Sequence, residues 1–219
     1  MKLYYFQVRL RAETIRIALE LANADYEDNY VKDHETWMSL NRTYGQLPIL
    51  VLDDGSVLTQ SRTILSYVGR RFGLYPTDFM EAARVDELID SSSDVEAEIG
   101  KAGVTDEEKR NGVLAGLVGV CGRWLKVWES LIKDKEHFVG QKHSIADVAV
   151  FRVLEELCDE VPEALKEYPE LDRFRNAFKS IEGVNSYFNS GRRNVLPKSA
   201  KEVAEMWSQF GPIIRGAAA

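Results

Sequence analysis

Tyr44-Gly45-Gln46-Leu47-Pro48-Ile49-Leu50, with the helix that opens at Gln60-Ser61, decides how this chain folds. Proline has no N–H to give a ladder, so it sits poorly just ahead of an apolar strand such as Ile49-Leu50-Val51-Leu52. A kinked strand entry reconciles the two and leaves the backbone N–H and C=O of Leu47 unpaired. Unpaired backbone groups beside a helix N-terminus make a cradle for an extended peptide that carries a carboxylate.

Around this segment, short β-like and helical stretches alternate. Leu3 to Phe6 reads as a strand, Glu13 to Ala24 as a helix with Ile15, Leu19 and Ala22 on one face, and Tyr26 to Val31 as a second strand. After the proline strand, Asp53-Asp54-Gly55 signals a hairpin turn into a short strand at Ser56 to Leu58. Ser61 to Phe72 closes the region as a helix, with Ile64, Leu65, Val68 and Phe72 inward, and Gly73-Leu74-Tyr75-Pro76 breaks the pattern. A β-α-β then β-β-α order means a small mixed sheet. From Phe79 onward the periodicity is helical almost throughout. Val85, Leu88, Ile89, Ser92 and Val95 mark one helix, and Leu114, Leu117, Val118, Cys121, Leu125, Trp128 and Leu131 a long second one. Ser144-Ile145-Ala146-Asp147 is a capping box ahead of an apolar run, and Leu171 to Ile181 and Lys198 to Phe210 complete an all-α half. The expected division is an α/β unit over residues 1–76 and an all-helical unit over residues 80–219.

Composition narrows the function classes. A chain of 219 residues with 45% hydrophobic content has ample material for a core. The net charge of −7 argues against nucleic acid or an anionic membrane as main partner. The best apolar run, Val113 to Cys121, is short and broken by Gly116 and Gly119, and no signal peptide precedes Lys2-Leu3-Tyr4-Tyr5-Phe6. A cytosolic protein is the expectation. The two cysteines, Cys121 and Cys158, lie inside apolar helical patterns and read as core residues, which leaves no disulfide framework, zinc site or Cys-x-x-Cys pair. His34, His137 and His143 show no ligand spacing and read as surface residues.

Five motifs in order carry a resemblance to the cytosolic glutathione transferases. They are Tyr4 to Glu13, Glu35-Thr36-Trp37, Tyr44 to Pro48, Gln60 to Leu65 and Ser144 to Asp147. Within that family the chain resembles the tyrosine-type classes, sigma and pi in particular, because Tyr44-Gly45-Gln46-Leu47-Pro48 is similar to the pi-class cis-proline motif. The fold so implied is a thioredoxin-like N-terminal domain with a helical C-terminal domain. The chemistry implied is activation of glutathione, as co-substrate, with no metal or other cofactor.

A free thiol titrates at about 8.5, so little thiolate exists at neutral pH, yet thiolate is the nucleophile. Lowering that pKa by two units takes roughly 2.7 kcal/mol, about what one charge-assisted hydrogen bond supplies. By resemblance Tyr5 is the donor and Arg11 adds positive field. Tyr4 alternates to the other strand face and is assigned to packing. The resemblance further places the cysteinyl residue on the Leu47 backbone beside a cis Pro48, and the γ-glutamyl end on Gln60 and Ser61. The glycyl carboxylate falls to Trp37 and Gln46. On the acidic row Asp86, Asp90, Asp94 and Glu98, Asp94 matches an aspartate that reaches the partner subunit's site in a homodimer, and Tyr44 an aromatic that inserts into the neighbour. Asp86 and Glu98 read as a solvated face. Small hydrophobic electrophiles are expected near Phe6, Val8, Leu10 and the tail residues Trp207 and Phe210.

Three departures stand out. The family's Arg-Gly-Arg is here Arg9-Leu10-Arg11, which sets a large side chain beside the acceptor pocket. The segment after Trp37 is short and lacks the expected lysine, leaving Asn41 and Arg42 as alternatives. His143 sits where a hydrophobic staple is usual. Two further activities fit the same residues: a glutathione-dependent prostaglandin-type isomerase, or a non-catalytic crystallin-like or ligand-carrying relative. A cysteine-based thiol oxidoreductase is disfavoured, since no cysteine precedes Cys121.

Overall fold

The computed structural model describes residues 1–40 and 43–216, so Asn41 and Arg42 lie outside the described residues. Strand β1 (Lys2–Tyr5) alternates as its pleat requires, with Leu3 and Tyr5 buried. It pairs in parallel with β2 (Glu27–Tyr30) and antiparallel with β3 (Ile49–Val51), which pairs antiparallel with β4 (Val57–Thr59). The sheet order is β2-β1-β3-β4, the small mixed sheet expected. The β3–β4 turn is built as its residues dictate. Gly55 takes φ 84° and Asp54 accepts from the Ser56 N–H at 2.9 Å.

Helices α1 (Leu10–Leu21) and α3 (Ser61–Arg71) pack together against the sheet. A short helix α2 (His34–Ser39) carries the Glu35-Thr36-Trp37 motif, to which the sequence pattern assigns no element. Asp33 caps it, accepting from the Thr36 N–H at 2.7 Å. The segment is too short for periodicity to reveal a helix.

The second half is helical: α4 (Phe79–Gly100), α5 (Glu107–Ile132), α6 (Ile145–Glu160), α7 (Pro169–Lys179), α8 (Glu182–Asn189) and α9 (Ala200–Arg215). Asp78, Asp106, Ser144 and Ser199 cap four of these starts with their side chains. Helix α6 is the axis, buried continuously from Ile145 to Leu157 and touching α1, α3, α4 and α7. One apolar core runs across both halves, from Leu3 and Ile15 to Phe151 and Tyr187. No helix among the described residues is long and apolar enough to cross a membrane.

Several expectations change. Helix α9 does not stop at Phe210 but continues through Gly211-Pro212 to Arg215. The histidines are partly buried and partnered, not free on the surface. His34 Nδ1 donates to the Ile213 carbonyl at 2.9 Å and so ties α2 to α9. His137 and His143 hydrogen-bond each other at 3.0 Å, and His143 packs edge-on against Phe178 at 5.0 Å. With Asp147 their ligand atoms fall within 4.8 Å. Asp147 is already committed: its oxygens accept from the Phe138 N–H, the Ser144 N–H and the Ser144 hydroxyl at 2.9, 2.7 and 2.9 Å. The capping box therefore forms as expected, with His143 in the staple position. Asp86 is not merely solvated; it accepts from the Tyr75 hydroxyl at 2.9 Å and pairs with Arg62. Cys121 is buried and Cys158 partly so, and burial pushes both thiols up to about 11, which makes them poor nucleophiles.

Candidate active site

A cleft of about 490 Å³ opens at the C-terminal end of β1. Tyr5, Phe6, Arg11, Trp37, Gly45, Gln46, Leu47, Pro48, Gln60, Ser61 and Ile214 line it. Each arrives by its own local logic. Tyr5 ends β1 with its side chain inward, only 6% exposed. The Leu47-Pro48 peptide is cis, and the β1–β3 register ends at Ile49, so Leu47 lies outside the ladder. Gln60 takes φ 69°, an unusual conformation for a residue with a Cβ, to pass from β4 into α3. Ser61 stands as the first residue of that helix, at its positive end. Gln60 Nε2 donates to Gln46 Oε1 at 3.1 Å, so the two polar residues from separate segments already meet.

Burial raises the Tyr5 phenol above its ordinary value of 10.0; the Arg11 backbone N–H and guanidinium both oppose that rise without reversing it. The group therefore keeps its proton at neutral pH and is a hydrogen-bond donor. Arg11 itself is exposed at the start of α1. Trp37, from α2, is 7% exposed and stacks on Phe6 at 6.0 Å.

The acceptor-side candidates are arranged differently. Phe210 is 6% exposed and stacks on Phe6 at 4.4 Å, while Val8 is 3% exposed in the same small apolar cluster as Trp37 and Ile213. Leu10 packs against that cluster, and Trp207 is half exposed, edge-on to Phe210 at 6.1 Å. Helix α9 thus covers this side, and its Ile214 reaches the cleft. Ile214 was missed because Gly211-Pro212 reads as a helix stop; the apolar spacing Phe210, Ile213, Ile214 was the available signal. Asp94 is exposed on α4, and Tyr44 is 67% exposed beside the cleft.

Behind the cleft lies a buried ionic layer that the sequence did not announce. Arg16 bonds Asp28 at 2.8 Å and the Val8 carbonyl at 2.8 Å. Glu13 accepts from the Tyr187 hydroxyl at 3.0 Å and from Arg193 at 2.9 Å. Arg9 pairs with Asp159 at 2.7 Å. Burial alone would raise the Asp159 carboxyl, but Arg9 and Lys198 hold it below its ordinary value. Arg152 reaches from α6 to Glu156 at 2.8 Å, Glu96 at 3.3 Å and the Leu10 carbonyl at 3.2 Å.

Comparison with known proteins places this architecture. The glutathione S-transferase N-terminal domain model matches residues 1–70 and the C-terminal domain model residues 96–191. The chain is 29% identical to "Glutathione S-transferase alpha-4" of Rattus norvegicus over 203 residues, spanning 90% of this chain and 91% of that one. It is 30% identical to "Glutathione S-transferase A4" of Mus musculus over 206 residues, with the same coverage of 90% and 91%. The crystal structure of the glutathione S-transferase from Ascaris lumbricoides superposes with a TM-score of 0.78 at 28% identity, covering 89% of this chain and 98% of its own. Both halves match in order and nearly end to end, so the chain belongs to the glutathione S-transferase family of enzymes.

Proposed function

We propose that this chain is a cytosolic, homodimeric glutathione transferase that activates glutathione as thiolate for addition to small hydrophobic electrophiles. One observation carries the reading: Tyr5, Arg11, Trp37, Gln46, Leu47, Pro48, Gln60 and Ser61, drawn from separate segments, line a single cleft. Tyr5 donates its hydroxyl to the sulfur, and Arg11 supplies positive field. The Leu47 backbone pairs with the cysteinyl residue as an added strand would. Ser61 and Gln60 receive the γ-glutamyl carboxylate at the N-terminus of α3, where the helix dipole and free N–H groups favour an anion. Trp37 and Gln46 hold the glycyl end. No cofactor is required in this scheme. Residues 1–76 would hold glutathione; residues 80–219 would add the acceptor wall and the dimer face.

Exposed Asp94 and Tyr44 support a homodimer in which each acts on the partner subunit. A stable monomer in sedimentation would remove both roles. The tyrosine-type assignment rests on the placement of Tyr5. The sigma- or pi-like assignment rests on the Tyr44–Pro48 motif alone, since the curated relatives carry alpha-4 and A4 names. Acceptors would lie against Phe6, Leu10, Ile214 and, where α9 moves aside, Val8, Trp207 and Phe210.

The test is a conjugation assay with a generic aryl halide. Tyr5→Phe should lower kcat/KM at least about tenfold, since one charge-assisted hydrogen bond is worth ~1.5–3 kcal/mol. An unchanged rate would remove Tyr5 from its role.

A further inference from the structure

Resting on the acceptor wall proposed above, we propose that His34, on α2, is a positioning residue that pins the last turn of α9 and so sets how far Ile214 narrows the cleft. Two contacts bracket Ile214. His34 Nδ1 lies 2.9 Å from the Ile213 carbonyl oxygen, and because a carbonyl only accepts, that nitrogen carries the proton. The same ring packs beside Gly216, where an added Cβ would lie 3.4 Å from Nε2 and 3.5 Å from Cδ2. Between these two held points stands Ile214, the residue of α9 that lines the cleft.

The turn depends on such a tie. The last four carbonyls of a helix have no partner within it. Pro212 brings no N–H, so a further intrahelical bond is missing just before them. Gly216, at φ 80°, then ends the helix. What holds the turn is therefore tertiary. Ile213 packs with Val8, Val31, Trp37 and Phe210, and His34 takes its carbonyl. His34 itself stands on a fixed base, as the first residue of a helix whose cap, Asp33, accepts from the Thr36 N–H at 2.7 Å. Trp37, one turn along α2, lines the cleft as Ile214 does. The bond thus joins two segments that each present a side chain to the site. In the alternative, His34 merely caps a helix end, and losing it costs stability without changing which acceptors enter.

The two roles separate with a pair of organic chlorides from which glutathione thiolate displaces chloride: the small chlorodinitrobenzene and the tricyclic chloromethylanthracene. His34→Ala should lower kcat/KM for the small chloride about threefold and raise it for the tricyclic one by a similar factor, within what one neutral hydrogen bond supplies. The change should sit in the acceptor KM, with KM for glutathione within about twofold. His34→Asn, whose side-chain amide reaches the position of Nδ1, should restore most of the wild-type ratio. Ile214→Ala should shift the ratio in the same direction, and adding His34→Ala to it should change little, since one residue acts through the other. An unchanged ratio in His34→Ala, an asparagine variant that behaves as the alanine one, or full additivity with Ile214→Ala would overturn the proposal. So would an equal loss on both chlorides that tracks a lower melting temperature. A wild type that binds glutathione but conjugates neither chloride would instead remove the acceptor wall, and the role of His34 with it.

Discussion

On the sheet side of the cleft, Gln46 and Gln60 stand exposed and bonded to one another, Ser61 sits at a helix start, and Leu47 lies beyond the strand register. On the α9 side, Phe210 and Val8 are buried against Phe6 and Trp37, and among the described residues of α9 only Ile214 lines the opening. The first wall is polar and already in place, because turns, a helix N-terminus and a strand entry fix it locally. The second is apolar and depends on a distant segment docking. The wall proposed to hold glutathione is thus set by local backbone, whereas the wall proposed to meet acceptors depends on how α9 docks.

That contrast breaks most visibly at Phe210. Phe210→Ala should weaken the docking of α9 by about 3 kcal/mol, in the range for burying a phenylalanine. Hydrogen exchange across residues 200–215 should accelerate, while glutathione affinity changes less than about twofold. A parallel collapse of glutathione binding would show that the two walls are not independent. On the other wall, Ser61→Ala should cost about 1 kcal/mol, near fivefold in glutathione affinity, by calorimetry. It should leave α9 exchange as it was.

The smallest effect lies away from both walls. Burial holds the His143 imidazole below its ordinary value, with His137 adding to that and Asp147 opposing it. A base favoured neutral in the fold contributes stability that is present above about 6.5 and lost as pH falls below it. Asp147, raised by burial, titrates with the opposite sign, so the net change stays under about 1 kcal/mol. His143→Leu, which restores an apolar staple, should flatten the acid side of a denaturation-against-pH curve without moving the activity profile. A slope unchanged in that variant would assign the titration elsewhere.

Most of the polar wall was legible because its determinants are local. Pro48 ahead of Ile49-Leu50, Asp54-Gly55 in a turn and the Ser144–Asp147 cap each constrain their own neighbourhood. For Tyr5, strand alternation says only that Tyr4 and Tyr5 face opposite ways, and the family resemblance chooses between them. What was not legible depends on tertiary partners. Glu13, Arg16, Arg152 and Glu156 carry no local sign of burial, since nothing nearby in sequence shows that Tyr187, Arg193, Asp28 or Glu96 will meet them. The helix α2 is too short for periodicity, and α8 is one brief helix following the α7 stop. Helix α9 runs on past Pro212 because its Ile213 is buried beside Phe210 and its carbonyl is held by His34, a contact between residues far apart in the chain. Charge patterning and proline rules are sound locally, and here packing overrode them.

Proton release on glutathione binding tests the account most directly, measured by calorimetry in buffers of differing ionisation enthalpy. A thiol brought from about 8.5 to about 6.5 should release about 0.7 proton at neutral pH in wild type, and under about 0.25 in Tyr5→Phe with affinity retained. Binding without proton release in wild type, or equal release in both proteins, would contradict the role given to Tyr5.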